Sequence, residues 1–148
     1  MKQIFLRTWL LCGTLDALYA IIMAVIRHGS VADVWRFVAS GPFGNGAMAW
    51  GSGGVIAGLF VHFTIMAAMV GTFLVAYNRA PALRSGNPWM IGTLYGLALY
   101  VVMNWIVIAL RWPASFPPTD LLKVVTALFP HIAFVGIPMA LMARKSAV

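Results

Sequence analysis

Apolar residues run almost unbroken through four stretches of the chain, approximately Phe5–Ile26, Gly54–Tyr77, Trp89–Leu110 and Leu121–Ala143. As helices, each is long enough to cross a bilayer's hydrocarbon, which takes about 20 residues. Between the first two stretches the pattern changes. Val31, Val34, Trp35 and Val38 recur at i, i+3, i+4 and i+7, with Asp33 and Arg36 off that face. This spacing predicts a short amphipathic helix lying in the interface. Ser30 and Asp33 ahead of it form a capping-box pattern, expected to satisfy N–H groups at the helix start. The next segment, GPFGNGAMAWGSGG, has six glycines in fourteen positions and reads as flexible or as a place of close backbone approach. The third connection, RWPASFPPTD, is short and stiffened by Pro113, Pro117 and Pro118, whereas NRAPALRSGNP reads as a plain polar turn. The expected architecture is an all-α membrane protein: one integral domain over residues 1–148, built as a four-transmembrane-helix bundle with an interfacial helix in its first outer loop.

Composition supports a lipid setting. Hydrophobic residues make up 62% of the chain and charged residues only 9%, against about 25% in ordinary globular proteins. Net charge is +7, but the cations are scattered near span ends without a basic run, so nucleic acid is not an expected partner. The bilayer is, along with a homo-oligomer or larger membrane complex. The one cysteine, Cys12, excludes an intrachain disulfide. Lys2 and Arg7 before an apolar run resemble an export signal, but Asp16 in the heart of that run argues for a retained span. Lys2, Arg7, Arg79, Arg84, Arg144 and Lys145 lie on the side of both termini, against Arg27, Arg36, Arg111 and Lys123 on the other. That bias places both termini in the cytoplasm.

Small residues spaced four apart, Gly54/Gly58 and Gly92/Gly96 with Ala20/Ala24 and Ala67/Gly71, mark close helix packing. The candidate chemistry lies deeper. His131 is ten residues into the last span, His62 eight into the second and Asp16 eleven into the first, counted from the opposite end. At 1.5 Å per residue the two histidines lie roughly 12–15 Å below the outer surface, near the midplane. Asp16 reaches about the same level, and Asn104 and Tyr100 approach from the third span. An acid at mid-span costs about 2.5–3.5 kcal/mol on insertion scales, and such residues usually face the bundle interior. Asp16, His62, Asn104 and His131 are therefore expected to form a buried polar cluster, with Asp16 either neutral or paired to a protonated histidine. Pro130 and Pro138 free the carbonyls of Thr126 and Phe134, so the fourth helix should kink around His131.

The runs GTLDALYA, VASGPFG, HFTIM, YGLALYVVM and PHIAFVGIP resemble a group of small four-span bacterial inner-membrane proteins with no assigned function. A more distant likeness is to the YagU-like inner-membrane proteins, chiefly in FPPTD followed by a histidine-bearing last span. The resemblance implies a bacterial inner membrane and implies that Asp16, His62 and His131 belong to the group's pattern. Trp35-Arg36 departs from it, standing where a leucine-glutamine pair is expected.

Three uses of the polar set follow. The leading one is an accessory or structural membrane protein held partly by Asp16–histidine contacts. A second is a b-type haem site with His62 and His131 as axial ligands across the bundle diagonal. A third is a small proton- or ion-conducting unit, with Tyr95 and Tyr100 near the relay. Soluble-type enzyme chemistry lacks its phosphate loops and nucleophile motifs, and a zinc site on Asp16, His62 and His131 lacks close ligand spacing.

Overall fold

The computed structural model describes residues 2–115, 117 and 120–145; Phe116, Pro118 and Thr119 of the proline-rich third loop lie outside them. Four helices are long and apolar enough to span a membrane: α1 (Lys2–Ile26), α3 (Gly51–Arg79), α5 (Pro88–Arg111) and α6 (Leu121–Lys145). They are the expected four spans, lengthened by up to three residues at their ends. Such a set is that of a multi-pass, all-α membrane protein. Helix starts follow local chemistry. The side chain of Asn87 accepts from the Trp89 N–H at 2.9 Å ahead of Pro88, and Asp120 accepts from the Leu122 N–H at 2.9 Å. Each satisfies one of the orphan donors of a first turn.

The first loop contains α2 (Val31–Phe43), the expected amphipathic helix, followed by a helical turn at Asn45–Ala49. Its capping is not as the pattern suggested. Ser30 precedes the helix but its side chain caps nothing, and Asp33 pairs with Arg36 at 2.8 Å instead. A nearby guanidinium attracts the carboxylate more strongly than a backbone N–H does. The apolar face of α2 packs on α3, burying Trp35 and Ala39. Gly58 makes this possible: a Cβ there would fall on the Trp35 carbonyl. Gly54 similarly lies under the Ala47 carbonyl, so this glycine pair seats the loop rather than another span. Arg111 holds the other end of α2. Its guanidinium donates to the carbonyls of Ser40 at 2.8 Å and Gly41 at 2.9 Å and to Asn45 Oδ1 at 2.9 Å, satisfying helix-end acceptors. Phe37 stacks on Trp112 beside it, with ring centroids 4.5 Å apart.

Around the bundle, α1 packs against both α3 and α6, and α5 packs against α6. The α3–α5 edge is joined by Tyr95, which donates to the Met69 carbonyl at 2.7 Å and packs on Phe73. This leaves α3 and α6 on one diagonal. The α5–α6 seam is the tightest of those between spans, since Gly92 and Gly96 face the backbone of His131, Gly136 and Ile137. Without a hydrophobic effect between helices in lipid, such backbone approach supplies much of the cohesion. Between the site and the termini, Cys12, Met66, Val70, Phe73, Leu74, Val135, Met139 and Ala140 form a buried apolar core. Leu10, Leu18, Ile22, Phe60, Leu94, Trp105 and Val125 face outward, as lipid-facing residues do.

The α6 proline does not end its helix. After Pro130 the chain continues as a π-helical segment, His131–Gly136, and α5 carries a second one at Val101–Val107. Wide turns of this kind occur often at functional sites. The Thr126 carbonyl freed by Pro130 accepts a hydrogen bond from the Tyr19 hydroxyl of α1 at 2.7 Å. The proline therefore creates the acceptor that ties α1 to α6.

Candidate functional site

Asp16, His62, Asn104 and His131, one from each spanning helix, line a single cavity of about 230 Å³. Val38 of α2 and Ile65, Met66, Met69, Met103, Ile108 and Val135 complete its wall. All four polar side chains point inward, toward this cavity.

The protonation geometry of this set is specific. Nε2 of His62 lies 3.0 Å from the Gly13 carbonyl, which only accepts, so this nitrogen carries a proton and donates. Nδ1 then faces Asp16 Oδ2 at 3.9 Å. A bare imidazole nitrogen and a bare carboxylate oxygen are both acceptors and oppose each other there. One proton on either partner removes the conflict, giving an imidazolium–carboxylate pair or a neutral acid beside a neutral ring. His62 is enclosed by aromatic rings, Trp35 at 5.5 Å and Phe63 at 5.1 Å between centroids.

His131 has a different arrangement. Its Nδ1 donates to the Ala127 carbonyl one turn back, at 2.7 Å. Nε2 keeps a lone pair, with no hydrogen-bond partner among the described residues. Tyr100 stands edge-on to the ring at 6.1 Å. Asn104, in the π segment of α5, donates from Nδ2 to the carbonyl of Tyr100 just before that segment, at 3.2 Å.

Asn104 and Ile108 also face a second hollow of about 420 Å³, which lies toward the loops. Tyr19, Tyr100 and Thr126 line it, with Arg27 and Lys123 among its residues. Arg27 Nη2 donates to Thr126 Oγ1 at 3.0 Å. The two hollows share Asn104 and Ile108 as a common wall. Toward the termini the polar set is backed by the apolar core.

A haem does not fit these residues. The cavity is below the roughly 300–1,000 Å³ usual for small-molecule and cofactor sites, and His62 commits Nε2 to Gly13. Among the described residues no group of three His, Cys, Asp or Glu side chains is arranged to hold a metal ion. The sequence pattern did not single out Tyr19 or Arg111. Pro130 was the available signal for Tyr19, because a freed carbonyl in lipid requires a donor. Arg111 read only as a topological charge.

No family model, no curated protein and no solved structure matches the chain.

Proposed function

We propose that this is an accessory protein of the bacterial inner membrane, with both termini in the cytoplasm. In this reading Asp16, His62 and His131 bind and release a proton exchanged from the loop end. The carrying observation is that all three line one cavity whose wall adjoins the crevice beside Arg27 and Lys123. Histidine changes charge between about pH 5 and 8, the range in which a physiological proton site works. The fixed Nε2–H of His62 leaves Nδ1 and Asp16 to take one proton between them. His131 offers a second acceptor at Nε2. Of the remaining walls, α2 contributes Val38 and α5 contributes Met103, Asn104 and Ile108, none of them charged. The set therefore answers chiefly to its own three groups. The apolar core toward the termini supports exchange from one side, not passage across.

Infrared difference spectra of oriented proteoliposomes test this. Stepping the loop-side pH from about 8 to about 5 should produce carboxyl and imidazolium bands. Asp16→Asn should remove the carboxyl component, and a step on the termini side alone should leave the spectrum unchanged. Absence of titrating bands in this window, or an equal response from both sides, would sink the reading.

A structural role has its own support, since the His62–Gly13 hydrogen bond joins α3 to α1. It predicts that Asp16→Asn leaves the infrared titration unchanged while His62→Phe lowers the melting temperature.

A further inference from the structure

At the end of the bundle that carries both termini, a hollow of about 700 Å³ opens between α1, α3, α6 and the short helix α4 (Pro81–Ser85). Arg7, Arg84 and Lys145 line it, and all three are exposed. Gln3, Tyr77 and Asn78 add polar groups. No aspartate or glutamate lines it: the three acids of the chain are Asp16, Asp33 and Asp120, none of them at this end. Three cations from three separate helices thus surround one space without a carboxylate among the described residues to neutralise them. An anion is the complementary occupant, and basic pockets between spanning helices are suited to phosphate head groups.

A second observation favours a lipid over a soluble anion. Leu74, in the wall of this hollow, also lines an almost wholly apolar groove of about 440 Å³ on the α1–α3 seam. Lys2, Phe5, Leu6, Gly71 and Val75 complete that groove. Gly71 leaves its floor bare, since a Cβ there would meet only Phe5, at 3.8 Å. A charged vestibule and an apolar groove that share a residue at the membrane end match the two parts of one amphiphile.

We propose that this end binds an acidic phospholipid, its phosphate among Arg7, Arg84 and Lys145 and an acyl chain along the Gly71 groove. The site is separate from the Asp16–His62–His131 cavity and does not depend on its role.

Native mass spectrometry of the full chain in neutral detergent, titrated with phosphatidylglycerol or phosphatidylcholine, provides the test. Phosphatidylglycerol should be retained in preference. The triple variant Arg7→Gln/Arg84→Gln/Lys145→Gln should weaken its binding by on the order of 100-fold, at about fivefold per cation near an anionic lipid. The loop-end pair Arg27→Gln/Lys123→Gln should change it by less than about twofold, since screening confines such effects to roughly a Debye length. Gly71→Leu should weaken phosphatidylglycerol binding with all the cations in place. Circular dichroism checks that each variant keeps its helices. Equal retention of the two lipids, an equal loss from the loop-end pair, or unchanged binding in Gly71→Leu would overturn the proposal. Displacement of the lipid by inorganic phosphate alone would also overturn it, assigning the vestibule to a soluble anion.

Discussion

The halves of the bundle toward the termini and toward the loops are built from the same four helices but are filled differently. Toward the termini, Val70, Phe73 and Met139 are almost wholly buried and close the bundle between the mid-span cavity and the cationic hollow at that end. Toward the loops the helices stand around two polar hollows, and closure depends on α2, Arg111 and the Tyr19–Thr126 hydrogen bond. Helix content alone does not explain the difference. Close contact in lipid rests on shape, so where Asp16, His62, Asn104 and His131 face inward the helices cannot interlock as apolar ones do. The solid half then acts as a floor for the hollow one.

That contrast can be broken from either side. The largest effect is expected from Phe73→Ala, which opens a void in the solid half and should cost about 3–5 kcal/mol in denaturant unfolding from mixed micelles. Ile65→Ala enlarges a space that already exists and should cost about 2 kcal/mol in the same assay, because it removes contacts on one side only. Equal losses would mean that both halves are packed alike.

Gly58→Val acts on the lid. A side chain there displaces the Trp35 backbone from α3, at an expected cost of about 3 kcal/mol, and should leave the core near Phe73 unaltered. Hydrogen exchange resolved by segment would show faster exchange in α2 with unchanged protection around residues 70–74. A uniform rise across both would remove the distinction between lid and floor.

Tyr19→Phe is the mildest change. It deletes one hydroxyl and leaves the Thr126 carbonyl without its cross-helix donor, at a cost of about 1 kcal/mol. The loss should appear as faster exchange in α6 on either side of Pro130, with α3 unaffected.

Much of this architecture was legible before any coordinates. Twenty or more apolar residues in a row have few alternatives to a spanning helix, because backbone groups in lipid must be satisfied internally. The four spans therefore follow closely from hydropathy. Mid-depth placement of Asp16, His62, Asn104 and His131 follows from counting residues at a fixed rise. That they share a cavity does not, because helix rotation depends on seams such as Gly92/Gly96 against Gly136. The capping box failed because the Ser30 backbone carbonyl takes the Asp33 N–H and Arg36 draws the Asp33 carboxylate, competitions that the sequence pattern does not show. Gly54/Gly58 was read correctly as a contact motif, but whether such a motif meets another span or a returning loop helix is a matter of tertiary geometry. The π segments were only half visible: Pro130 announces a disturbed ladder at His131, while no proline or glycine marks Val101–Val107.

The central claim of the proposed function is that the Asp16–His62–His131 hollow is reached from the loop end alone. Cysteine accessibility in oriented proteoliposomes tests it most directly. Met103→Cys and Asn104→Cys would be compared with Val70→Cys and Phe73→Cys, in a Cys12→Ala background and with a small impermeant thiol reagent on one side at a time. The account predicts that positions 103 and 104 react from the loop side and that 70 and 73 react from neither. Labelling of 103 and 104 from the termini side, or of 70 and 73 from any side, would contradict it.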